Sequence, residues 1–300
     1  MVKRFIFFNI LLMIFIGVVD AADIDNTQLF INIEADKSVV YCGESQIITV
    51  NLYSSTPDIS GFRDNGEISL KKGSFESIKK VNISSRPYKK KFNGKILYCF
   101  PLETYAVSYD HKGNYEITDG PYEIGVSFPV IYNDPFWGPY RSSEIEAIDI
   151  DVSPVKVKVK SLPSPSSNYN FNGSVGNFKI ETILPKGNIY LNEEATVYIV
   201  IKGEGILTDS TLPDYQDAFK DGLKLKSFAE TRSQAYSNGN LVSEIQMECV
   251  FIPTRSEEVE IGEISFCYFD PKDGKYKTVV TKPVKVNVKS SVDRREQIPV

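Results

Sequence analysis

The residue types that usually carry enzyme chemistry are sparse in this sequence. The only histidine, His111, lies in the polar, turn-like stretch Tyr109–Gly113. A single histidine cannot form a histidine-based metal cluster, and without a second histidine or a Gly-x-Ser-x-Gly motif a hydrolase triad is hard to assemble. We therefore expect His111 to be a surface turn residue, and we expect neither a catalytic site nor a bound cofactor.

Two groups of carboxylates raise the question of a cation site or an acid and base pair. Asp270 and Asp273 precede Gly274 in a turn-like stretch whose oxygen ligands would suit Ca²⁺, but it is shorter than an EF-hand loop. A hairpin turn, in which Gly274 supplies a positive φ, is the simpler interpretation. The second group is interleaved with apolar residues, which predicts the wet side of a strand rather than the converging pair of a glycosidase. Its members are Glu144, Glu146, Asp149 and Asp151.

Four cysteines are spaced so that two fall in each half of the chain. In an oxidising compartment they could form two disulfides, with Cys42 to Cys99 and Cys249 to Cys267 as the obvious pairs. The alternative is free thiols, because Cys99, Cys249 and Cys267 lie in apolar strand patterns, where a thiol behaves as a small hydrophobic group. The absence of a Cys-x-x-Cys motif argues against a thiol exchange site.

The segment Tyr132–Tyr140 combines aromatic residues with prolines and holds the only tryptophan of the chain. Pro135, Gly138 and Pro139 predict a loop outside the strand ladder. Loops on a rigid scaffold carry function, and tryptophan and tyrosine are favoured interface anchors, so this loop is a candidate partner-binding site. The alternative is that its aromatic side chains fold back and cap the core. The candidate binding residues are Tyr132, Phe136, Trp137 and Tyr140.

The elements that must position these residues have a period of two, which is typical of antiparallel sheets with one face in water. The clearest alternating apolar sets are Ile48, Val50 and Leu52, and Val197, Ile199 and Ile201. Hairpin-type turn signals recur at Asn93-Gly94, Lys112-Gly113-Asn114, Pro185–Asn188, Asn238-Gly239-Asn240 and Asp273-Gly274. The only plausible helical turn is Asp214–Lys220. Many short strands at this spacing predict an all-β protein built of β-sandwiches.

The chain also resembles itself, which indicates a tandem repeat of one sandwich type. A valine-lysine zigzag at Ser153–Ser161 closes the first half, and a similar one at Lys282–Ser290 closes the second. Between the halves, residues 162–177 are rich in Pro, Ser, Asn and Gly and predict a flexible linker. We therefore predict two tandem Ig-like antiparallel β-sandwich domains, at 27–161 and 178–290, followed by a polar tail at 291–300.

The N-terminus predicts export. Lys3 and Arg4 precede an apolar run from Phe5 to Val19, and small residues then favour cleavage after Ala21, so residues 1–21 read as a signal peptide. An uncleaved anchor is the alternative, although the run is short for a bilayer that needs about 20 apolar residues. The formal net charge of -5 gives no reason to expect nucleic acid as a partner.

Several segments of the second half resemble the BatD (oxygen-tolerance, or aerotolerance) family. They are Val175–Phe178, Asn192–Val197 with Gly203–Gly205, Cys249–Pro253, and above all Phe266–Tyr276. The resemblance extends over residues 28 to 290. It implies an exported protein with Ig-like modules that is encoded beside von Willebrand A-domain membrane proteins and a MoxR-type ATPase and is linked to oxygen tolerance or envelope stress. Family members commonly carry a C-terminal transmembrane helix, which the sequence up to Val300 does not show.

Together these features predict a non-enzymatic exported binding or scaffold protein, in the periplasm or at the outer face of the cytoplasmic membrane. The aromatic loop would contact an envelope protein or a membrane surface. The alternative function is a secreted carbohydrate-binding or adhesive β-sandwich protein, because aromatic platforms on sandwiches stack on sugar rings.

Overall fold

The structure is a computed structural model, and it describes residues 28–64, 66, 68–72, 77–81, 86–134, 136–167, 169–207 and 212–290. The predicted signal peptide 1–21 and the polar tail 291–300 lie outside these residues. Among the described residues, the chain contains no helix with the length and apolar character needed to cross a membrane.

The described residues of the first domain form strands in three sheets. One sheet has the order β1-β3-β8-β6, with β7 also paired to β8, a second has the order β2-β12-β9-β5, and a third has the order β11-β10-β4. The strands are β1 Leu29–Ala35, β2 Val39–Tyr41, β3 Gln46–Ser54, β4 Ile59–Asp64, β5 Ser69–Lys72, β6 Ser77–Val81, β7 Tyr88–Phe92, β8 Lys95–Ser108, β9 Gly113–Thr118, β10 Tyr122–Asp134, β11 Gly138–Ile150 and β12 Val155–Lys160.

The second domain packs a six-stranded sheet, β16-β17-β15-β13-β19-β20, against a three-stranded sheet, β14-β21-β18. A short 3-10 helix at Gln216–Ala218 lies inside the predicted helical turn. The strands are β13 Phe171–Ile183, β14 Ile189–Tyr190, β15 Ala195–Ile206, β16 Leu223–Ser237, β17 Asn240–Pro253, β18 Glu257–Ile261, β19 Ser265–Asp270, β20 Lys275–Val280 and β21 Val284–Lys289. The predicted all-β class with two β-sandwich domains is confirmed.

The valine-lysine zigzags are strands that close corresponding parts of the two domains. In β12, Val157 and Val159 are buried while the lysines between them are exposed, and in β21 Val286 and Val288 are buried. Each strand pairs in parallel with a short strand near the start of its own domain, β12 with β2 and β21 with β14. The inward side chains belong to two separate cores, one in each domain.

One predicted strand differs from the simple alternation. Ile48, Val50 and Leu52 of β3 face the core as expected, but the other face of β3 is also buried, including Ile47 and Tyr53. The expectation that the second face of β3 contacts water is wrong, because the second domain and a small apolar cluster cover that face. Ile47 contacts the second domain, and Tyr53 lies in a smaller apolar cluster with Leu97 and Cys99.

Not every turn signal makes a hairpin. Asn93-Gly94 and Asn238-Gly239 adopt positive φ and join paired strands, as predicted, and Gly274 does the same between β19 and β20. The segments Lys112–Asn114 and Pro185–Asn188 instead connect strands of different sheets. Their polar, glycine-containing sequences favour a turn. Whether the next strand pairs with the preceding one or joins the other sheet depends on the packing of the two layers.

The connection between the domains is shorter than the segment 162–177 that the sequence predicts as a linker. Strand β13 begins at Phe171, because the alternating residues from there on pair with β15 and β19. The domains also touch. Ile47 and Ala106 pack against Ile206 and Leu241, and the Tyr276 hydroxyl donates a hydrogen bond to the Pro163 carbonyl at 2.6 Å.

We predict that Val286→Ala lowers the free energy of unfolding of the second domain by about 2–3 kcal/mol, because it removes two buried methyl groups and leaves a cavity. The neighbouring substitution Lys285→Ala, on the exposed face of the same strand, should cost less than about 1 kcal/mol, since it removes only a surface ion pair with Glu258. Chemical denaturation of both variants checks the comparison. Equal losses would contradict the inward orientation of the valines.

Candidate functional site

The candidate site is a long two-stranded ribbon, formed by β10 and β11 and called here the aromatic ribbon (residues 122–150). The two strands have thirteen residues each and pair over their whole lengths without a register shift. Strand β4 pairs only with the basal part, from Tyr122 to Val126. Beyond Ser127 no third described strand pairs with the ribbon, so its outer half stands as a hairpin in solvent.

The base of the ribbon is fixed in the core of the first domain. Tyr122 and Ile124 are fully buried, and the Tyr122 hydroxyl donates a hydrogen bond to Asp119 at 3.0 Å. Asp119 also accepts the backbone N–H of Gly120 at 2.9 Å. Because burial disfavours the charged form, the pKa of Asp119 lies above its usual value, despite these hydrogen bonds.

The tip of the ribbon is ordered by one side chain. Asp134, the last residue of β10, accepts the backbone N–H groups of Phe136 at 2.8 Å and of Trp137 at 2.9 Å through the same carboxylate oxygen. Gly138 has φ +76°, a conformation that glycine adopts without strain, and it begins β11. The aspartate and the glycine therefore close a tight turn that presents two consecutive aromatic residues.

The aromatic side chains point into solvent. Trp137 is 90% exposed and Phe136 is 92% exposed, so the tip does not fold back onto the core. Below the tip, Tyr132 and Tyr140 are direct cross-strand partners, and their rings stack with centroids 5.6 Å apart. The four predicted candidate residues thus lie together at one end of the ribbon.

The predicted loop is much shorter than the sequence indicates. Gly138 and Pro139 lie in the strand ladder, opposite Asp134 and Asn133, and Tyr132 and Tyr140 are strand residues. Pro135 lies outside the described residues. The prediction that Gly138 and Pro139 break the ladder is wrong because β11 is an edge strand, where a proline can be accommodated.

The carboxylates of β11 do not form a single wet side, which corrects the prediction. Glu146 shares one side of the strand with Ile148, whereas Asp149 shares the other side with Ile145, which is 66% exposed. Both sides of the outer ribbon contact water because no second layer covers it. The ribbon carries five carboxylates and one cation, Arg141, and is therefore acidic. The carboxylates are those of Glu123, Asp134, Glu144, Glu146 and Asp149.

The remaining sequence-predicted groups lie elsewhere. His111 is exposed, and its carbonyl accepts a hydrogen bond from the Tyr115 hydroxyl. Asp270 accepts the backbone N–H of Lys272 at 2.9 Å and pairs with Lys277, which also hydrogen-bonds Asp273 and lowers the pKa of that carboxyl. The lysine supplies the positive charge that a cation would otherwise bring. Among the residues that the structure describes, no group of carboxylates, cysteines and histidine has the arrangement of a metal site.

In the structure the four cysteines are free thiols, which is the alternative given above to the two disulfides. Cys42 packs beside the main core of the first domain, while Cys99 lies in the separate cluster with Tyr53. Cys249 belongs to the core of the second domain, and Cys267 is not part of it. Neither candidate pair therefore shares one packed cluster. Burial raises the pKa of Cys249 to about 11, so this thiol is unreactive at neutral pH.

A polar cleft of about 600 Å³ lies where the two domains meet. Several of its charged side chains have partners within the protein. Lys37 pairs with Glu44 at 2.9 Å, and Lys160 lies 5.8 Å from the ring of Tyr41. The cleft is therefore better explained as the hydrated edge of the domain contact than as a binding site.

Comparison with known proteins identifies the second domain. Residues 182–288 match the family model described as the BatD DUF11-like domain, which confirms the resemblance seen in the sequence. The aromatic ribbon lies in the first domain, outside the matched residues. No curated protein matches the chain.

Two solved structures are similar at low sequence identity. The full-length major pilin SpaD from Corynebacterium diphtheriae is 12% identical, with 77% of this chain and 61% of that chain covered and a TM-score of 0.26. Domains 4–9 of the surface layer protein SbsC are 16% identical, with 89% and 32% covered and a TM-score of 0.23. This chain thus spans about three fifths and about one third of those proteins, and at these scores neither informs the function.

We predict that Asp134→Ala leaves the fold intact but loosens the tip, because two backbone N–H groups lose their acceptor. The loss of a hydrogen bond worth about 1 kcal/mol corresponds to roughly fivefold faster amide hydrogen exchange at Phe136 and Trp137. Asp149→Ala, which removes an exposed carboxylate lower on the same ribbon, is the matched control. Unchanged exchange at the tip would show that Asp134 does not order it.

A second prediction concerns pH. Because the pKa of Asp119 is raised in the folded chain, its contribution to stability is full below the usual value of 3.8 and is lost as pH rises through the raised pKa. Asp119→Asn, which keeps the hydrogen-bonding shape without titrating, should therefore gain stability relative to the native chain as pH rises through this window. Denaturant unfolding of both proteins at several pH values measures the difference. A difference that is constant with pH would contradict the assignment.

Proposed function

From the BatD domain at residues 182–288, we propose that this chain is a non-enzymatic binding and scaffold protein of the bacterial envelope, and that it docks a protein partner through the tip of the aromatic ribbon. The observation that carries this proposal is the exposure of Phe136 and Trp137 at the end of a hairpin anchored in the core.

The tip has the chemistry of an interface anchor. Trp137 and Phe136 each offer a large rigid ring, and burying such a ring in a partner contributes several times more than most interface contacts. Their backbone is already held by Asp134, so little conformational entropy is lost on binding. Aromatic side chains with 90% exposure are otherwise unfavourable in water, which supports a surface that is covered in the complex.

The charge of the ribbon favours a protein over a lipid surface as the partner of this tip. Five carboxylates against one arginine leave the segment 122–150 with a formal charge of -4. Anionic headgroups would repel such a segment before the aromatic side chains reached the acyl region. A protein with an apolar pocket and a neutral or basic rim would not repel the segment.

The finer features of the proposal come from the family resemblance. The partner would be a von Willebrand A-domain membrane protein, the assembly would include a MoxR-type ATPase, and the process would be oxygen tolerance or the response to envelope stress. The protein would lie in the periplasm or at the outer face of the cytoplasmic membrane.

The test is affinity capture from detergent-solubilised envelope membranes with the exported chain as bait. We predict that Trp137→Ala and Phe136→Ala each reduce recovery of the specific partner at least about tenfold, since hot-spot truncations cost about 2 kcal/mol or more. Ile183→Ala is the matched control, because it truncates an exposed apolar side chain (43%) in the second domain.

Equal recovery by the native chain and the tip variants would remove the proposed role of the ribbon. A glycan array distinguishes the alternative function. Saccharide binding that depends on Trp137 would replace the protein partner by a carbohydrate, whereas the proposal predicts no saccharide binding.

A further inference from the structure

A second projection of the first domain has the opposite charge. Strand β7 and the start of β8 form a hairpin, called here the basic hairpin (residues 86–100), whose Asn93-Gly94 turn has positive φ at both residues. The segment holds five cationic side chains and no carboxylate. The cations are Arg86, Lys89, Lys90, Lys91 and Lys95.

The strand register divides the hairpin into two faces. On one face Leu97 and Cys99 are buried in the apolar cluster with Tyr53. On the other face two cross-strand pairs lie side by side, Lys89 opposite Tyr98 and Lys91 opposite Ile96. This second face is called the open face.

The open face continues the core side of the sheet beyond the end of the sandwich. Phe100, two residues from Tyr98 on the same strand, pairs with Leu52 and packs against the main core. Towards the turn from Phe100, the main core no longer covers this face, and Ile96 is 71% exposed. The Lys89 ammonium lies 5.3 Å from the centre of the Tyr98 ring, so a cation–π contact holds it beside this apolar surface.

Within the described part of the chain, one of the five cations of the hairpin pairs with a carboxylate. Lys90 pairs with Glu34 at 2.9 Å. Among the described residues, Arg86, Lys89, Lys91 and Lys95 form no ion pair, and all four are exposed. These four exposed charges can attract an anionic surface.

Protection of a sheet edge explains only part of this surface. Lysines on an edge strand such as β7 discourage pairing with other chains, and they would do so with polar neighbours as well. The open face instead carries Ile96, which is 71% exposed, and the ring of Tyr98 beside Lys89 and Lys91. Cations interleaved with exposed aliphatic and aromatic groups are the composition of surfaces that bind at a membrane interface.

We propose that the basic hairpin binds an anionic phospholipid bilayer, with Lys89 and Lys91 at the headgroups and Ile96 inserted at the acyl boundary. The charge of the segment and the absence of any carboxylate in it favour this occupant over a neutral surface. The site is separate from the aromatic ribbon and does not depend on the proposed protein partner.

Vesicle co-sedimentation of the exported chain, beginning at Ala22, tests the proposal. The probes are vesicles of phosphatidylglycerol mixed with phosphatidylcholine, and vesicles of phosphatidylcholine alone. We predict binding to the anionic vesicles only, weakened by salt. Lys89→Gln/Lys91→Gln should weaken it about thirtyfold, and Ile96→Ser should weaken it with little change in its salt dependence. The control Lys156→Gln/Lys158→Gln removes the same charge from the exposed side of β12 and should bind like the native chain.

Two results would overturn the proposal. The first is binding to both vesicle types alike, or equal weakening by the hairpin and control variants. The other result is self-association in place of lipid binding. The chain would then form a dimer in sedimentation velocity, the hairpin variant would abolish that dimer, and neither vesicle type would be bound. Loss of vesicle binding in the hairpin variants with unchanged recovery of a protein partner would support the lipid site and leave the ribbon proposal to its own test.

Discussion

The constraint on which the rest of the structure depends is that a strand buries every second side chain only where another layer covers it. Within the sandwiches this alternation builds the two cores, and the valines of β12 and β21 illustrate it. Where a hairpin extends past the covering layer, the same alternation leaves apolar side chains in water. The aromatic ribbon and the basic hairpin are both such extensions. Both candidate surfaces therefore arise because these strands are longer than the layer that packs against them.

These two extensions differ in charge, and the difference separates their partners. The ribbon has a formal charge of -4 around its aromatic tip, while the basic hairpin carries five cations without a carboxylate. Beyond a Debye length of about 8 Å at physiological salt, each surface acts largely on its own surroundings. An anionic bilayer would therefore attract the hairpin and repel the ribbon, which leaves the tip of the ribbon available to a protein.

Much of this architecture is predictable from the sequence, because the signals are local. The valine-lysine alternation predicts strands β12 and β21, and the Asn-Gly turns predict two tight hairpins. Other features depend on distant contacts. Pro139 predicts a loop, but its strand has a partner on one side only, so the residue fits into the ladder. The two cysteines of each domain look like partners along the sequence, but packing places Cys42 and Cys99 in different clusters and leaves Cys267 outside the core that holds Cys249.

In the candidate site too, some features follow from local sequence signals and others only from the three-dimensional structure. Aromatic residues between prolines predict a functional segment, and the exposure of Trp137 agrees with that prediction. Asp134 carries a turn signal of its own, because an aspartate carboxylate commonly accepts the backbone N–H two residues on, as it does from Phe136. The second bond, from the Trp137 N–H, needs the three-dimensional structure. Of the basic hairpin, only the Asn93-Gly94 turn is predicted from the sequence, because the strand register is needed to show that Ile96 and Tyr98 share a face with Lys89 and Lys91.

Strand β3 corresponds to β15 in the second domain, and the contact between the domains explains why the outer face of β3 is the more buried of the two. The backbone N–H of Cys42 bonds to the carbonyl of Lys160, and that of Leu191 bonds to the carbonyl of Lys289, which places Ile47 and Thr196 at corresponding positions. Ile47 is buried because the second domain covers it, whereas Thr196 is half-buried.

Gly43 belongs to the same contact. It has φ +75°, which favours glycine, and a Cβ there would lie 3.0 Å from a methyl group of Val175 and crowd the contact between the two domains. Ile47 on the outer face of β3 and Gly43 before this strand are thus the residues of this segment whose types the domain contact explains. The polar composition of the connecting segment conceals that contact, because flexibility of a linker and contact between the domains it joins are separate properties.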